Sequence, residues 1–185
     1  MGNEGAEGQE RVFNVGILGS NHEITKIVGE CLGTPDEITD LQFFNRLDTS
    51  LGYIFTGVAP VGYPEKLKTL IQACSLTEIH IMVLDAETGI TPAIGEIMIC
   101  MDLYARYYNT KILGVIGNIT NANEWRVADI IQKFPKIAKG MNIKKFPSLI
   151  LYKEIKQILK HSGLLENKKT KDLNKKIKLK FAEVR

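Results

Sequence analysis

The sequence predicts an α/β domain whose mostly parallel sheet is covered by helices on both faces. Short, continuous apolar runs alternate along the chain with longer stretches of helical periodicity. Such runs are typical of strands buried on both sides of a parallel sheet, and right-handed crossovers bring the intervening helices onto both faces. The chain has 185 residues, of which 44% are hydrophobic, so it is long enough for one domain with a substantial core.

The predicted strands are runs that are apolar throughout or rich in β-branched and aromatic residues. The second and third of them follow each other closely, which favours an antiparallel hairpin. In chain order the six strands are Val12–Leu18, Leu41–Asn45, Tyr53–Val58, Ile79–Leu84, Lys111–Ile116 and Phe146–Leu151.

The predicted helices show apolar residues at three- and four-residue spacing, together with start and stop signals. Gly33 and Pro35 end the first helix, and Pro64 begins the second. In chain order the five helices are Lys26–Leu32, Pro64–Cys74, Thr91–Tyr108, Ala122–Phe134 and Glu154–Lys160.

The two ends of the chain differ in composition from its middle. Residues 1–11 are Gly-rich, have no secretory signal and are expected to be a disordered leader. Residues 1–152 hold 13 Lys/Arg and 17 Asp/Glu, a net charge of −4, whereas residues 153–185 hold 11 and 4, a net charge of +7. We therefore expect a domain over residues 12–162. Residues 163–185 form a lysine-rich extension, either a tail or the start of a missing domain.

Composition argues against several classes of protein. No apolar run reaches the roughly 18 residues of a membrane-spanning helix, so we expect a cytoplasmic protein without membrane contact. Cys31, Cys74 and Cys100 are widely spaced and odd in number, which is typical of buried, reduced thiols. The three histidines share no ligand spacing, so we expect no metal site.

The loop after the first predicted strand has the frame of a phosphate-binding loop without its working residues. The strand ends at Gly19, and a helix pattern follows from about Thr25. A P-loop reads G-x-x-x-x-G-K-[ST], and its backbone N–H groups, Lys and hydroxyl hold phosphates and Mg²⁺. Counted from Gly19, Ile24 stands at the second Gly, Thr25 at the Lys and Lys26 at the hydroxyl position. The expected vestigial phosphate site is Gly19, Ser20, Asn21, His22, Glu23, Ile24, Thr25 and Lys26.

Four segments occur in a characteristic order, at Asn14–Gly19, Val58–Tyr63, Asp85–Gly89 and Asn118–Asn121. In this order they resemble the G domain of the translational GTPases, elongation factor Tu and the archaeal SelB-like elongation factors. That family reads NVGTIGHVDHGKT at the first segment, D-x-P-G-H at the second and N-K-x-D at the fourth. The resemblance implies a P-loop-NTPase-like fold with a nucleotide site between these loops.

The resemblance also implies that the nucleotide contacts are damaged. Gly62 and Asn118 fit the family pattern. Ala59 replaces the Asp that holds Mg²⁺ through water, and Tyr63 replaces the His that positions the attacking water. Asn121 replaces the Asp that accepts two N–H groups from guanine. Because GTP hydrolysis depends on Mg²⁺, a Lys and water placement, the resemblance implies no turnover.

We therefore predict a pseudo-GTPase of archaeal type without a bound cofactor. It would bind a translation-related partner such as tRNA, the ribosome or another protein. One alternative is an active GTPase that binds GTP and Mg²⁺ through Lys26 and Thr25. A second is an α/β enzyme that binds a dinucleotide at Gly16–Gly19. The sequence leaves the oligomeric state open.

Any nucleic-acid contact is expected in the lysine-rich extension, because residues 1–152 carry a net negative charge. Lysine contacts to phosphate depend on salt and are largely independent of base sequence. The other reading is a solvated tail that binds nothing. The lysines concerned are Lys168, Lys169, Lys171, Lys175, Lys176, Lys178 and Lys180.

Overall fold

The computed structural model describes residues 11–48, 53–141 and 149–151. Within these ranges the chain forms one sheet of seven strands and four helices. The strands are β1 (Arg11–Gly19), β2 (Thr34–Pro35), β3 (Leu41–Asp48), β4 (Tyr53–Pro60), β5 (Ile79–Asp85), β6 (Lys111–Gly117) and β7 (Leu149–Leu151). The helices are α1 (His22–Leu32), α2 (Leu67–Ser75), α3 (Pro92–Tyr108) and α4 (Glu124–Ile137).

The sheet is mostly parallel, which confirms the predicted fold class. Its strand order is β2-β3-β4-β1-β5-β6-β7. Strands β4, β1, β5, β6 and β7 pair in parallel, whereas β3 and β2 pair antiparallel at one side. The predicted hairpin of the second and third strands is thus present as β3 and β4. Because parallel strands end at the same edge, the loops after β1, β4, β5 and β6 meet there.

Two apolar clusters cover the two faces of the sheet. Helix α1 packs on one face, over side chains such as Phe13, Ile17 and Phe44. Helices α2, α3 and α4 pack on the other, over side chains such as Met82 and Leu84. Every residue of β5 is buried, and its side chains alternate between the clusters. This strand is therefore the centre of the core, and its end lies at the middle of the loop-bearing edge.

Three helices begin or end elsewhere than the sequence predicts. Helix α1 begins at His22 rather than Lys26, because the side chain of Asn21 caps it. Helix α2 begins at Leu67 rather than Pro64, since the chain first makes a turn after β4. Helix α4 continues to Ile137 with Pro135 inside its last turn, beyond the end predicted at Phe134. These differences are set by capping and turn contacts that apolar periodicity does not report.

Some predictions lie outside the described residues: most of the leader, the helix Glu154–Lys160 and the extension 163–185. Of the predicted strand Phe146–Leu151, the end is described as β7. All three cysteines are free, and burial raises the pKa of the Cys31 thiol to about 12. None of the described helices is both long and apolar enough to cross a membrane.

Candidate functional site

Asp85, the last residue of β5, joins three of the loops at the carboxyl edge. Its side chain is 5% exposed. Its Oδ2 accepts a hydrogen bond from Asn21 Nδ2 at 2.9 Å, and its Oδ1 accepts one from Asn118 Nδ2 at 3.0 Å. The same Oδ1 accepts the backbone N–H of Glu87 at 2.8 Å. We call these four residues the Asp85 network; it connects the ends of β1, β5 and β6 directly.

Asn21 also occupies the first turn of α1. Its Oδ1 accepts the N–H groups of Glu23 and Ile24, at 3.1 and 3.4 Å, and its carbonyl accepts the N–H of Thr25 at 3.1 Å. A helix leaves its first four N–H groups without intrahelical partners, and an anion bound at a helix start uses these groups. In α1, the Asn21 side chain already satisfies two of these four groups, those of Glu23 and Ile24.

Of the three P-loop positions, two have buried side chains, and the third lies inside helix α1. Ile24 and Thr25 are 4% and 3% exposed, and the Thr25 hydroxyl donates to His22 O at 2.8 Å. Lys26 is the fifth residue of α1, which puts it about 6 Å along the axis from the helix start. The expectation of a loop from Gly19 to Thr25 is therefore wrong, because only Ser20 and Asn21 lie between strand and helix.

Close packing accounts for the glycines of this region. A Cβ on Gly16 would lie 2.7 Å from the Thr77 hydroxyl, and one on Gly19 would lie 2.7 Å from Thr25 Cγ2. A Cβ on Gly62 would lie 3.0 Å from a methyl of Thr69. The spacing that suggested a dinucleotide site at Gly16–Gly19 thus has an explanation in strand and helix packing.

Asn118 holds the loop after β6 against the loop after β5. Its backbone adopts a positive φ of 57°, a conformation that Asn tolerates better than most residues. Its Nδ2 donates to Asp85 and, also at 3.0 Å, to Glu87 Oε2. The Arg126 guanidinium donates to the carbonyl of Glu87. The donor and acceptor groups at this point are consequently paired with one another.

The base-recognition segment predicted at Asn118–Asn121 is a turn closed by Asn123. Asn123 Nδ2 donates to the carbonyl of Asn118 at 2.9 Å, and its Oδ1 accepts the N–H of Thr120 at 2.7 Å. Ile119 is half-buried and packs against the apolar cluster under α2, α3 and α4, whereas Asn121 is exposed. Ile119, at the family's Lys position, therefore packs against the core.

The loop after β4 is turned towards α3. Ala59 is buried in the α1 cluster, at 1% exposure. Tyr63 is 3% exposed, and its hydroxyl lies 2.6 Å from Ala93 O and 3.0 Å from Glu96 Oε2. Burial and then the Glu96 carboxylate raise the pKa of Tyr63 well above its ordinary value. This neutral hydroxyl contacts the first turns of α3.

Comparison with known proteins identifies the fold. No protein-family model matches the sequence, and no curated protein matches it either. Among solved structures, the translation elongation factor SelB from Methanococcus maripaludis in complex with the GTP analogue GppNHp is similar, with a TM-score of 0.62 and 22% identity over 85% of this chain. Its apo form gives a TM-score of 0.57, 20% identity and 84% coverage. A bacterial selenocysteine-specific elongation factor, EF-Sec, gives 0.59, 14% and 85%.

This chain has the fold of a translational GTPase G domain. The predicted resemblance is thereby confirmed at the level of the fold. The chain spans 35%, 36% and 30% of the lengths of the three similar proteins. The Asp85 network lies at the edge of this fold where the loops after β1, β5 and β6 meet.

Sequence reasoning placed Asp85 and Glu87 in a segment of the resemblance without assigning them to the site, and it missed Asn123 and Arg126. A signal existed for Asp85, because an acidic residue that ends a strand of buried apolar residues needs partners nearby. No pattern in the sequence assigns those partners. Among the described residues, no group of three His, Cys, Asp or Glu side chains could hold a metal ion.

Proposed function

We propose that this chain is a G-domain-like binding module linked to translation that neither holds nor hydrolyses GTP. The observation that carries the proposal is the position of Asn21. It satisfies N–H groups at the start of α1 and donates to Asp85. A triphosphate that bound these N–H groups would have to displace the Asn21 cap and compete with its contact to Asp85.

The charges at the edge support the same conclusion. Glu23 lies in the first turn of α1, and Asp85 and Glu87 follow at the end of β5. Three carboxylates therefore stand near the helix start, where a phosphate group would need positive potential. Arg126 lies nearby but donates to the Glu87 carbonyl.

Titration with a fluorescent GTP analogue and Mg²⁺ tests this proposal. The G domain of the Methanococcus maripaludis SelB serves as the positive control, since that protein is known in complex with GppNHp. We expect saturable binding by the control and none by this chain, and no GTP hydrolysis above background. Saturable binding that is lost in Lys26→Ala would contradict the proposal and support the alternative of an active GTPase.

The dinucleotide alternative is tested in the same way with NADH and NADPH, whose fluorescence reports binding directly. We expect none, because the two glycines of Gly16–Gly19 are accounted for by contacts with Thr77 and Thr25. Saturable binding of either dinucleotide would overturn both this expectation and the proposed function.

We place the partner among the components of translation, in the cytoplasm, because each of the similar structures is an elongation factor. Within that proposal, the lysine-rich extension 163–185 contacts RNA. Anisotropy with labelled tRNA should show weak binding that falls steeply with salt and is lost when residues 163–185 are deleted. If the truncated protein binds equally well, the contact lies on residues 12–162 instead.

A further inference from the structure

Two segments at the carboxyl edge contact each other directly. The first is segment 36–40, between β2 and β3; the second is loop 61–66, between β4 and α2. The N–H of Gly62 donates to the carbonyl of Asp40 at 3.1 Å, and Lys66 Nζ lies 2.7 Å from Asp40 Oδ1. In nucleotide-dependent GTPases, the γ-phosphate and its Mg²⁺ order two such segments, which are released after hydrolysis.

Loop 61–66 is in turn fastened to α3 through Tyr63. Its ring is buried in the cluster under α2 and α3, and its hydroxyl is held between Ala93 O and Glu96 Oε2. Ala93 and Glu96 lie in the first turns of α3, which is long and packs on the central strands. The chain of contacts therefore runs from a rigid helix through Tyr63 to loop 61–66, and from this loop to segment 36–40.

The contacts differ in strength. The Lys66–Asp40 pair is open to solvent, with side chains that are 60% and 58% exposed, and such pairs contribute little. Tyr63 is buried and its hydroxyl has a single proton, shared between Ala93 O and Glu96 Oε2, so its removal takes away the donor that joins loop 61–66 to α3. We propose that Tyr63 is a latch that holds loop 61–66 and segment 36–40 in one arrangement without a bound nucleotide.

The latch goes beyond the proposed function, because it gives the surface that a partner would meet a fixed shape. A partner that contacts loop 61–66 or segment 36–40 would bind with the same affinity whether GTP is present or absent. The latch depends on the contacts of Tyr63 and not on the absence of nucleotide binding. The two proposals can therefore fail separately.

Hydrogen exchange of individual backbone amides tests the latch. The informative amide is that of Gly62, because its hydrogen bond crosses from loop 61–66 to segment 36–40. Tyr63→Phe keeps the buried ring and removes the hydroxyl, and we expect the Gly62 amide to exchange about tenfold faster. Tyr107→Phe is the matched control, since Tyr107 is 75% exposed, and it should leave the rate unchanged. Glu96→Gln keeps an acceptor and should fall between the two.

Three outcomes would overturn the latch. The first is equal Gly62 exchange in the wild type and in Tyr63→Phe. The second is exchange in the wild type near the rate of an unprotected amide. The third is equal acceleration in Tyr107→Phe. All measurements are made on the full chain with and without GTP and Mg²⁺. If the titration shows GTP binding while GTP leaves Gly62 exchange unchanged and Tyr63→Phe still speeds it, the latch stands and the proposed function fails.

Discussion

Each end of β5 holds a buried polar side chain, and the two side chains differ in how fully they are hydrogen-bonded. Asp85, at the carboxyl end, is 5% exposed, and both of its oxygens accept hydrogen bonds from the neighbouring loops. His80, near the other end, is 0% exposed. Its Nε2 lies 3.3 Å from the carbonyl of Cys74, and its Nδ1 has no hydrogen-bond partner in the described part of the chain.

The difference shows what a buried polar group can contribute. Asp85 gathers donors from three loops and so fixes the edge where the loops after β1, β5 and β6 meet. His80 contacts its surroundings near α2 and the Tyr104 ring of α3, and burial, the larger cause, lowers its pKa to about 4 although backbone contacts with Cys74 and Thr77 oppose the shift. A satisfied buried group organises its surroundings, whereas an incompletely satisfied one makes the fold sensitive to acid.

Removal of the Asp85 side chain should have the largest effect on stability. Asp85→Ala leaves Asn21 Nδ2 and the Glu87 N–H without this acceptor and leaves Asn118 Nδ2 only its contact with Glu87 Oε2, and we expect a loss of about 3 kcal/mol in the free energy of unfolding. Asp85→Asn keeps the shape and one acceptor oxygen for Asn118 and the Glu87 N–H but turns its NH₂ group towards Asn21 Nδ2, so about half that loss is expected. Urea unfolding followed by circular dichroism measures both.

Asp129→Ala provides the control for this comparison. Asp129 forms an exposed ion pair with Lys133 on α4, so its loss should cost no more than about 0.5 kcal/mol. If Asp85→Ala were no more destabilising than Asp129→Ala, the Asp85 network would not hold the edge together.

Acid should lower the free energy of unfolding through protonation linked to His80. Its folded pKa, about 4, lies below the ordinary value of 6.5, so the unfolded chain binds more protons between these values. The stability that neutral His80 contributes is therefore fully present above about pH 6.5 and is lost as the pH falls towards 4. The contribution of this group should fall by about 2 kcal/mol between pH 7 and pH 5.

Urea midpoints at a series of pH values check this prediction. His80→Gln should flatten the profile over that range whatever its effect on stability at neutral pH, whereas His22→Gln serves as the control. A profile that is unchanged in His80→Gln would show that other groups cause the acid sensitivity.

Asn118 contributes to stability in two ways: its side chain contacts the Asp85 network, and its backbone tolerates a positive φ. Asn118→Ala loses the contacts and forces a Cβ residue without a polar side chain into the left-handed region, so we expect a loss of about 1.5 kcal/mol. Asn118→Gly loses the same contacts but tolerates the backbone, so about 0.5 kcal/mol is expected. Equal losses in the two variants would mean that the positive φ of Asn118 has no effect on the free energy of unfolding.

The smallest effect is expected at Glu87. Its side chain is exposed, and its carboxylate contact with Asn118 is therefore screened by water. Glu87→Ala should cost less than about 0.5 kcal/mol in thermal or urea unfolding. A loss comparable to that of Asp85→Ala would place the centre of the network at Glu87 instead.

The fold could be predicted from local patterns, and the details of the site could not. Continuous apolar runs placed β1, β5 and β6 correctly, because burial on both faces leaves a strong compositional signal. The start of α1 was misplaced, since Asn21 was taken for a loop residue rather than a cap. Capping depends on one side chain and its geometry, which motif spacing counted from Gly19 obscures.

The sequence by itself determined the mostly parallel sheet, the order of its loops and the absence of the family's residues at Ala59, Thr25 and Asn121. Each of these follows from residue type and spacing along the chain. The tertiary structure alone decided which side chains meet at the carboxyl edge. Asp85 meets Asn21 and Asn118 across separations of 64 and 33 residues. Such pairs form because strands β1, β5 and β6 end at one edge, which no local sequence signal specifies.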